Sequence, residues 1–422
     1  MQAHPKGAAV PPAPLEVLAH CRRTAAVAKL IAHHLFLPSE EKALLCAACL
    51  LHHCGTGLLA PESKHRLLAD VFGEEPPARL VADPMPGIVR DVLNAYEAPG
   101  SGRPIESKLA GILRLADAFD QAMEAQPVDG QEVSEILESL WGGVEAGIWS
   151  EAAMHALAES TRPQPRGQAE SWNVPVFPQA AVRMLRLMRD PNACVADVVK
   201  AASLDPATAG LVMQLGNSAL FGSRTRVSTL SQAITRLGFA TSQKVVVSAA
   251  LRPMFGSVKL QEAWPHSLQV ADLSEQLACR SRAVDPAEAY LAGLVHDVGR
   301  IALLSVPLYD SARLQGLERG GCPPLYAENL LLRTDHAALG GQIAGEWRLP
   351  ENMVSAIRQH HRPEQVQNPL AHLLYLGEFL SGSEEDLPSI VRLQVSLRGI
   401  GMMWDDVGDC RVSALGLWLA AA

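Results

Sequence analysis

The residues best suited to chemistry are histidines and carboxylates in the second half of the chain. His296 and Asp297 are adjacent in AGLVHDVGR, at the end of an apolar run and just before a glycine. An imidazole beside a carboxylate can bind one metal ion or bridge two. His266 precedes the pair by 30 residues in WPHSLQVADLSEQLA. His336 follows in RTDHAALGGQIAGEW, His360 and His361 in MVSAIRQHHRP, and Glu378 in LLYLGEFL. A His from one helix, a His-Asp pair from another and an acidic residue from a third can converge in the middle of a bundle, which is how helical proteins build metal sites. In hydrolysis such metals activate a water and neutralise charge on a phosphate. The same side chains can instead satisfy one another as metal-free core residues. Spacing alone leaves both readings open.

The first half carries a diverged copy of this arrangement. His20 is followed 32 residues later by His52-His53 in ALLCAACLLHHCG, and LRLADAFD supplies Asp117 where the second copy has Glu378. His53 therefore stands where Asp297 does. Such self-similarity predicts two related helical bundles in tandem.

Helices must position these groups. Of the 422 residues, 48% are hydrophobic and only 5% aromatic, with much Ala and Leu and no alternating strand pattern, so an all-α fold is expected. Asp190-Pro191, Asp205-Pro206 and Asp285-Pro286 each place an N-cap acceptor before a proline suited to the first helical position. In STLSQAITRLGF, Leu230, Ile234 and Leu237 fall at helical spacing and Gly238 reads as a C-cap. Residues 1–14 are Pro/Ala-rich and read as a disordered tail, with no apolar core of a signal peptide. A first bundle is expected over 15–158, a polar Pro/Gly linker over 159–171, a second bundle over 172–381, and a helical extension over 382–422.

With these motifs in view, residues 172–380 resemble the HDOD domain, the HD-related output domain of bacterial signalling proteins. The resemblance rests on NVPVFPQAAVRMLRLMRDPNACVADVVKAASLDPATAGLVMQLGNSALFG, on TLSQAITRLGF, and on the H…HD…H…HH pattern with a late acidic residue. It implies membership of the HD superfamily of metal-dependent phosphohydrolases, in a branch that generally acts as a non-catalytic regulatory module. The ligand set implied is His266, His296, Asp297, His336, His360, His361 and Glu378, able to take Mn, Fe or Zn although no cofactor is required of an HDOD module. Two departures weigh against turnover. Glu378 replaces an Asp and reaches one methylene further, about 1 Å in a site that tolerates little displacement. Arg300 replaces a Lys, and it can fork onto a phosphate but cannot shed its proton. Residues 15–158 resemble an HD-GYP domain that has lost its function. His53 replaces the signature Asp, Ala95 and Tyr96 replace paired histidines, and EAPGSGRP at 97–104 is a shortened loop. His20, His52, His53 and Asp117 would be the remnant of that site.

The reading that follows is a cytoplasmic signal-transduction module acting through protein or ligand binding. The alternatives are a residual phosphohydrolase acting on cyclic dinucleotides and a nucleic-acid-binding regulator. A net charge of −9 argues against a surface built wholly for nucleic acid, though Arg224, Arg226, Arg236, Lys244 and Arg252 form a basic stretch. Asn217-Ser218 reads either as a helix-end cap or as a ligand contact, as Arg300 does for phosphate. Cys46 and Cys49 form CxxC near Cys21 and Cys54, but inside an apolar helix buried free thiols are expected. Eight cysteines without a regular framework suit a reducing compartment. No apolar run reaches the ~18–20 residues of a membrane span. Trp264 and Trp347 are expected as core fillers, and the tail GLWLAAA as a segment that packs on a neighbouring helix or at an oligomer interface.

Overall fold

A computed structural model describes residues 14–53, 87–97, 104–125, 132–162, 176–188, 190, 192–221, 225–256, 260, 263–305, 311–319, 322–382 and 390–421. Every regular element among them is a helix, as expected. The expectations for the tail (Pro14 aside), for most of the linker, for the loop within 97–104 and for Cys54 and Arg224 fall outside the described residues. The described residues divide into two compact units that are not linear in sequence. Unit 1 draws on 1–166, 310–335 and 385–390, and unit 2 on 167–309, 336–384 and 391–422.

Unit 1 opens with α1 (Pro14–His34), α2 (Ser39–Leu51), α3 (Gly87–Glu97), α4 (Pro104–Ala125), α5 (Glu132–Glu145) and α6 (Glu151–Ser160). Helix α1 lies against α2, α4 and α6. Its Ile31 joins Leu45, Leu50, Leu109, Leu113, Phe119 and Met154 in a core with almost no exposure. Each such side chain contributes about 1.5–3 kcal/mol by burial. Cys46 and Cys49 are buried in α2 as free thiols, and burial pushes Cys46 up to about 11, so neither is poised for redox chemistry.

Unit 2 begins with α7 (Gln179–Met188), α8 (Val195–Ala202), α9 (Pro206–Gly216), α10 (Leu230–Leu237) and α11 (Phe239–Leu251), followed by α12 (Ala263–Ser281), α13 (Pro286–Val295) and α14 (Val298–Ser305). The caps follow the sequence. Asp205 accepts from Thr208 N at 2.7 Å, Asp285 accepts from Ala287 N and Glu288 N, and Gly238 ends α10 at φ 84°. Asp190 departs from expectation. Its carboxylate turns onto Asn192 N at 2.8 Å, two residues on, and closes a turn instead of capping a helix. The helix starts later, where Asp197 accepts from Cys194 N.

The chain then gives α15 (Ser311–Arg319) and α16 (Pro324–Leu332) to unit 1. There the Arg23 guanidinium lies 5.7 Å from the centre of the Tyr326 ring, and Arg333 donates to Thr161 O. Unit 2 resumes with α17 (His336–Glu346), α18 (Glu351–Arg358), α19 (Pro369–Ser381), α20 (Ile390–Gly399), α21 (Trp404–Val407) and α22 (Ala414–Ala421). The tail helix α22 lies against α12, the first of the two expected placements, with Gly416 beside Asp272, and just before it Ser413 N and Oγ donate to Asp272 at 2.6 and 2.8 Å. Trp264 packs on Phe255 and Trp347 on Phe177.

Asn217 holds the end of α9 to the chain entering α10. Its amide donates to Met213 O and Val227 O, and its carbonyl accepts from Val227 N at 2.9 Å. Ser218 Oγ donates to Leu215 O. Asn217→Ala leaves three backbone partners to find water, and should cost about 1–3 kcal/mol. Thermal melting would show the loss, with metal content unchanged. A variant that melts like the parent would remove this structural role.

Candidate metal centre

Three close helix contacts in unit 2 bring short side chains together. Gly293 of α13 sits where a Cβ would lie 2.5 Å from Ala271 Cα of α12. Gly377 brings α19 against α12 near Ser274 Oγ, and Gly299 brings α14 against the first turn of α17. Into this space α12 projects His266 and α19 projects Glu378. The turn between α13 and α14 supplies His296 and Asp297, α17 begins with His336, and the turn after α18 carries His360 and His361.

All seven expected ligands converge. Glu378 Oε1 lies 3.2 Å from His266 Nε2 and 2.7 Å from His296 Nε2. Asp297 Oδ2 is 3.7 Å from His266 Nε2, and Asp297 Oδ1 is 3.6 Å from His296 Nε2. These four residues form one donor set, and His336, His360 and His361 form a second. The Nε2 atoms of His336 and His361 are 2.8 Å apart. Asp297 Oδ1 reaches the second set as well, at 3.5 Å from His336 Nε2 and 3.9 Å from His360 Nε2. Asp297 thus stands between two donor groups, which is the place of a bridging carboxylate. Metal–nitrogen bonds of about 2.0–2.1 Å put neighbouring donors of one shell about 3.0–3.4 Å apart, a range that these separations, from 2.7 to 3.9 Å, bracket.

The backbone fixes the ring orientations. His296 Nδ1 donates to Gly293 O at 2.7 Å and His360 Nδ1 to Ile357 O at 2.6 Å, so each presents Nε2 to the centre. Burial opposes charge on Asp297, yet Arg300 first, then His296 and His336, hold it below the usual carboxylate range. Glu378 is likewise held low against burial by its bonds to His266 and His296. Burial and then His361, His296 and His336 keep His360 well below the usual imidazole value, so it is neutral and ligand-ready. The centre also fits a cation by what it lacks. Both oxygens of Asp297 and Nε2 of His360 are buried without a hydrogen-bond partner among the described residues. Such groups cost about 1–3 kcal/mol each unless something satisfies them.

Residues 174–363 match the family model described as the HDOD domain. This chain carries an HDOD domain. A protein of Marinobacter aquaeolei VT8, provisionally assigned to signal transduction, is similar in fold, with a TM-score of 0.50 and 24% identity over 62% of each chain. An HDOD domain protein of unknown function from Geobacter sulfurreducens matches at TM-score 0.49 and 23% identity, over 56% of this chain and 87% of that one. An uncharacterized protein of Treponema pallidum (strain Nichols) is 25% identical over 221 residues, 50% of this chain and 43% of its own length. The chain therefore spans less than half of that relative.

Other sequence candidates lie apart from the HDOD cluster or are engaged. Arg300 flanks it, with Nε 3.2 Å from Asp297 Oδ2. Asn217 and Ser218 sit at the end of α9, with their side chains on backbone groups. In the basic stretch, Lys244 pairs with Glu275 beneath the Tyr290 ring, and Arg236 donates to Gly216 O and Thr225 Oγ1.

The four candidates of the first half also come together, in unit 1. His20 Nε2 lies 3.1 Å from Asp117 Oδ1 and 3.2 Å from His52 Nε2, and His53 completes the group. Sequence reasoning missed the shell around them. His20 Nδ1 meets Asp120 Oδ2 at 2.7 Å, and Arg23 forks onto the same carboxylate. Tyr96 donates to Asp117 Oδ2 at 2.7 Å. Asp120 was findable, since it follows Asp117 by three residues and shares its helix face. Although burial opposes it, His20 is raised to about 9 by Asp117 and Asp120.

Proposed function

We propose that the HDOD domain is a regulatory module whose closed His/carboxylate core binds divalent metal and couples to signalling partners without turning over a substrate. The observation that carries this reading is Asp297, buried, paired at its edge with Arg300 and lying within 4 Å of histidines of both donor sets. His266, His296, Asp297 and Glu378 would hold one ion and His336, His360 and His361, with Asp297, a second. A bound ion would supply positive charge to the two carboxylates and Lewis acidity toward a phosphate.

Closure supports regulation over hydrolysis. His296, His336 and His360 have no exposed surface, and Glu378 has 6%. Three cavities of 440, 550 and 400 Å³ open in this unit, and none of the three is lined by any of the seven residues. The metal then acts as a pin across α12, α14, α17 and α19, and a partner that prefers one packing of these helices would shift the whole module. The free cysteines fit a reducing, cytoplasmic setting. Among the described residues no helix is long and apolar enough to cross a membrane.

A residual phosphohydrolase is the second reading, favoured by one feature. His266 and Arg300, 16% and 21% exposed at their side chains, are the open edge of the centre, and a guanidinium there can fork onto a phosphate oxygen. The test is to load the full chain with Mn, Fe or Zn, measure bound metal, and incubate it with cyclic dinucleotides. Bound metal with no product supports the regulatory reading. Metal-dependent product that disappears with Arg300→Ala establishes the hydrolase, and a folded chain that takes up no metal in unit 2 removes both.

A further inference from the structure

We propose that unit 2 binds a small aromatic carboxylate in its 440 Å³ cavity, with Arg252 as the group that takes the carboxylate. The cavity is lined from α9, from the start of α12 and from the 3₁₀ turn Arg252–Phe255 that joins α11 to α12. It stands apart from both His/carboxylate clusters, none of whose residues lines it. Its volume lies in the range of about 300–1,000 Å³ typical of small-molecule sites.

The walls favour a flat apolar body. Leu211 comes from α9, Phe255 from the 3₁₀ turn and Trp264 from the first turn of α12. The Phe255 and Trp264 ring centres are 5.1 Å apart, with 52° between the planes. A third ring can join such a pair edge-on or offset, at centroid spacings of about 4.5–7 Å.

Two polar groups of the same cavity lack a counterpart. Among the described residues that line it, Arg252 is the one that carries a charge and none is acidic. The Arg252 side chain makes no ion pair or hydrogen bond among the described residues. Asp205, two residues before the lining residue Ala207, is engaged with its own helix, accepting from Thr208 N and Oγ1 at 2.7 and 2.8 Å. Trp264 is 5% exposed, and its indole N–H is buried with no acceptor among the described residues. A buried indole N–H ordinarily has one. A carboxylate offers two oxygens and about four acceptor positions, enough for a guanidinium fork and an indole N–H together. A neutral aromatic would suit the walls and leave the guanidinium unanswered. Inorganic phosphate would suit the guanidinium and lose its hydration to apolar walls.

The position gives such a ligand something to act on. Trp264 and Pro265 open α12, and the next residue, His266, is a donor at the open edge of the HDOD centre. Filling the cavity would bias the placement of that first turn and give the module a chemical input. This consequence rests on the regulatory reading above, whereas the binding itself does not.

The test titrates the full chain, stripped of metal by chelation, with 2-naphthoate and with its neutral analogue 2-naphthylmethanol, followed by calorimetry. One equivalent of naphthoate should bind, and the alcohol at least about 10-fold more weakly. Arg252→Ala should weaken naphthoate about 10- to 100-fold and leave the alcohol unchanged, while Arg252→Lys recovers part of the loss. Since Arg252 is exposed and unpaired, its loss should leave the melting curve where it was. Ala207→Phe, at an exposed lining residue, should fill the space and abolish binding of both compounds. The proposal is overturned if the parent binds no naphthoate, if it binds the alcohol equally well, or if Arg252→Ala or Ala207→Phe binds naphthoate as tightly as the parent. Repeating the titration on the metal-loaded chain separates site from coupling. A changed naphthoate affinity supports the input to the HDOD centre, and an unchanged one refutes that input while the site stands.

Discussion

Asp297→Asn is expected to lower metal affinity at both donor sets of the HDOD centre, each by more than about 100-fold, because second-shell losses alone cost about 10- to 100-fold. The two sets share only this residue: Oδ2 faces His266, and Oδ1 faces His296, His336 and His360. The neutral Asn keeps the shape but loses the charge that draws a cation. Glu378→Gln makes the necessary contrast. The Glu378 carboxylate meets His266 and His296 and belongs to that donor set alone, so its loss should weaken one ion and leave the His336/His360/His361 set loaded. The metal-free Asp297→Asn chain should melt below the parent, because the neutral side chain gives up the buried pairing with Arg300, whose Nε lies 3.2 Å from Oδ2. Metal analysis after equilibrium dialysis and thermal melting read the two effects separately. Equal, single-ion losses in both variants would show that Asp297 does not bridge.

That the seven candidate donors of the HDOD domain would come together was legible because donor chemistry is written in residue types, and an all-α pattern places them at predictable turns and faces. His296-Asp297 sits at a helix end and Glu378 within an apolar helix, as the 3.6-residue period implies. The partition of the chain was less legible. Residues 310–335 lie inside the HDOD stretch of the sequence yet belong to unit 1, through groups such as Tyr326 and Arg333 whose partners are more than 150 residues away. No local pattern announces such partners. Tyr96 shows a different failure. Read as a lost histidine, it is a gained hydrogen bond to Asp117, a substitution whose meaning depends on what faces it. The helix crossings were hidden for a related reason: a glycine in a helix looks like a propensity cost until the neighbouring backbone is known.

Gly299 is where that distinction has its largest consequence. A Cβ built there would fall inside the van der Waals shell of the His336 carbonyl, with its carbon at 2.7 Å and Gly340 N at 2.8 Å. These are backbone atoms at the start of α17, and no rotamer change can move them aside. Gly340 lies directly across, itself 3.4 Å from Gly299 N and from His296 O by the same measure. Gly299→Ala must therefore push α14 from α17, separating the turn that carries Asp297 from the residue His336. A stability loss of at least about 3 kcal/mol is expected, at the upper end of overpacking costs. For a unit of this size that lowers the melting temperature by about 6–12 °C. Gly345→Ala is the matched control: it lies on α17, is exposed, and its Cβ would meet nothing within 4 Å. That change should stabilise by about 0.5–1 kcal/mol, since alanine gives up less backbone entropy in a helix. The metal readout separates packing from assembly. If the glycine contact positions the centre, Gly299→Ala that still folds at low temperature should lose its second ion first, because His336 moves with α17 while His266, His296 and Glu378 do not depend on that contact. Retention of both ions together with an unchanged melt would mean that α14 and α17 do not meet as closely as this packing requires.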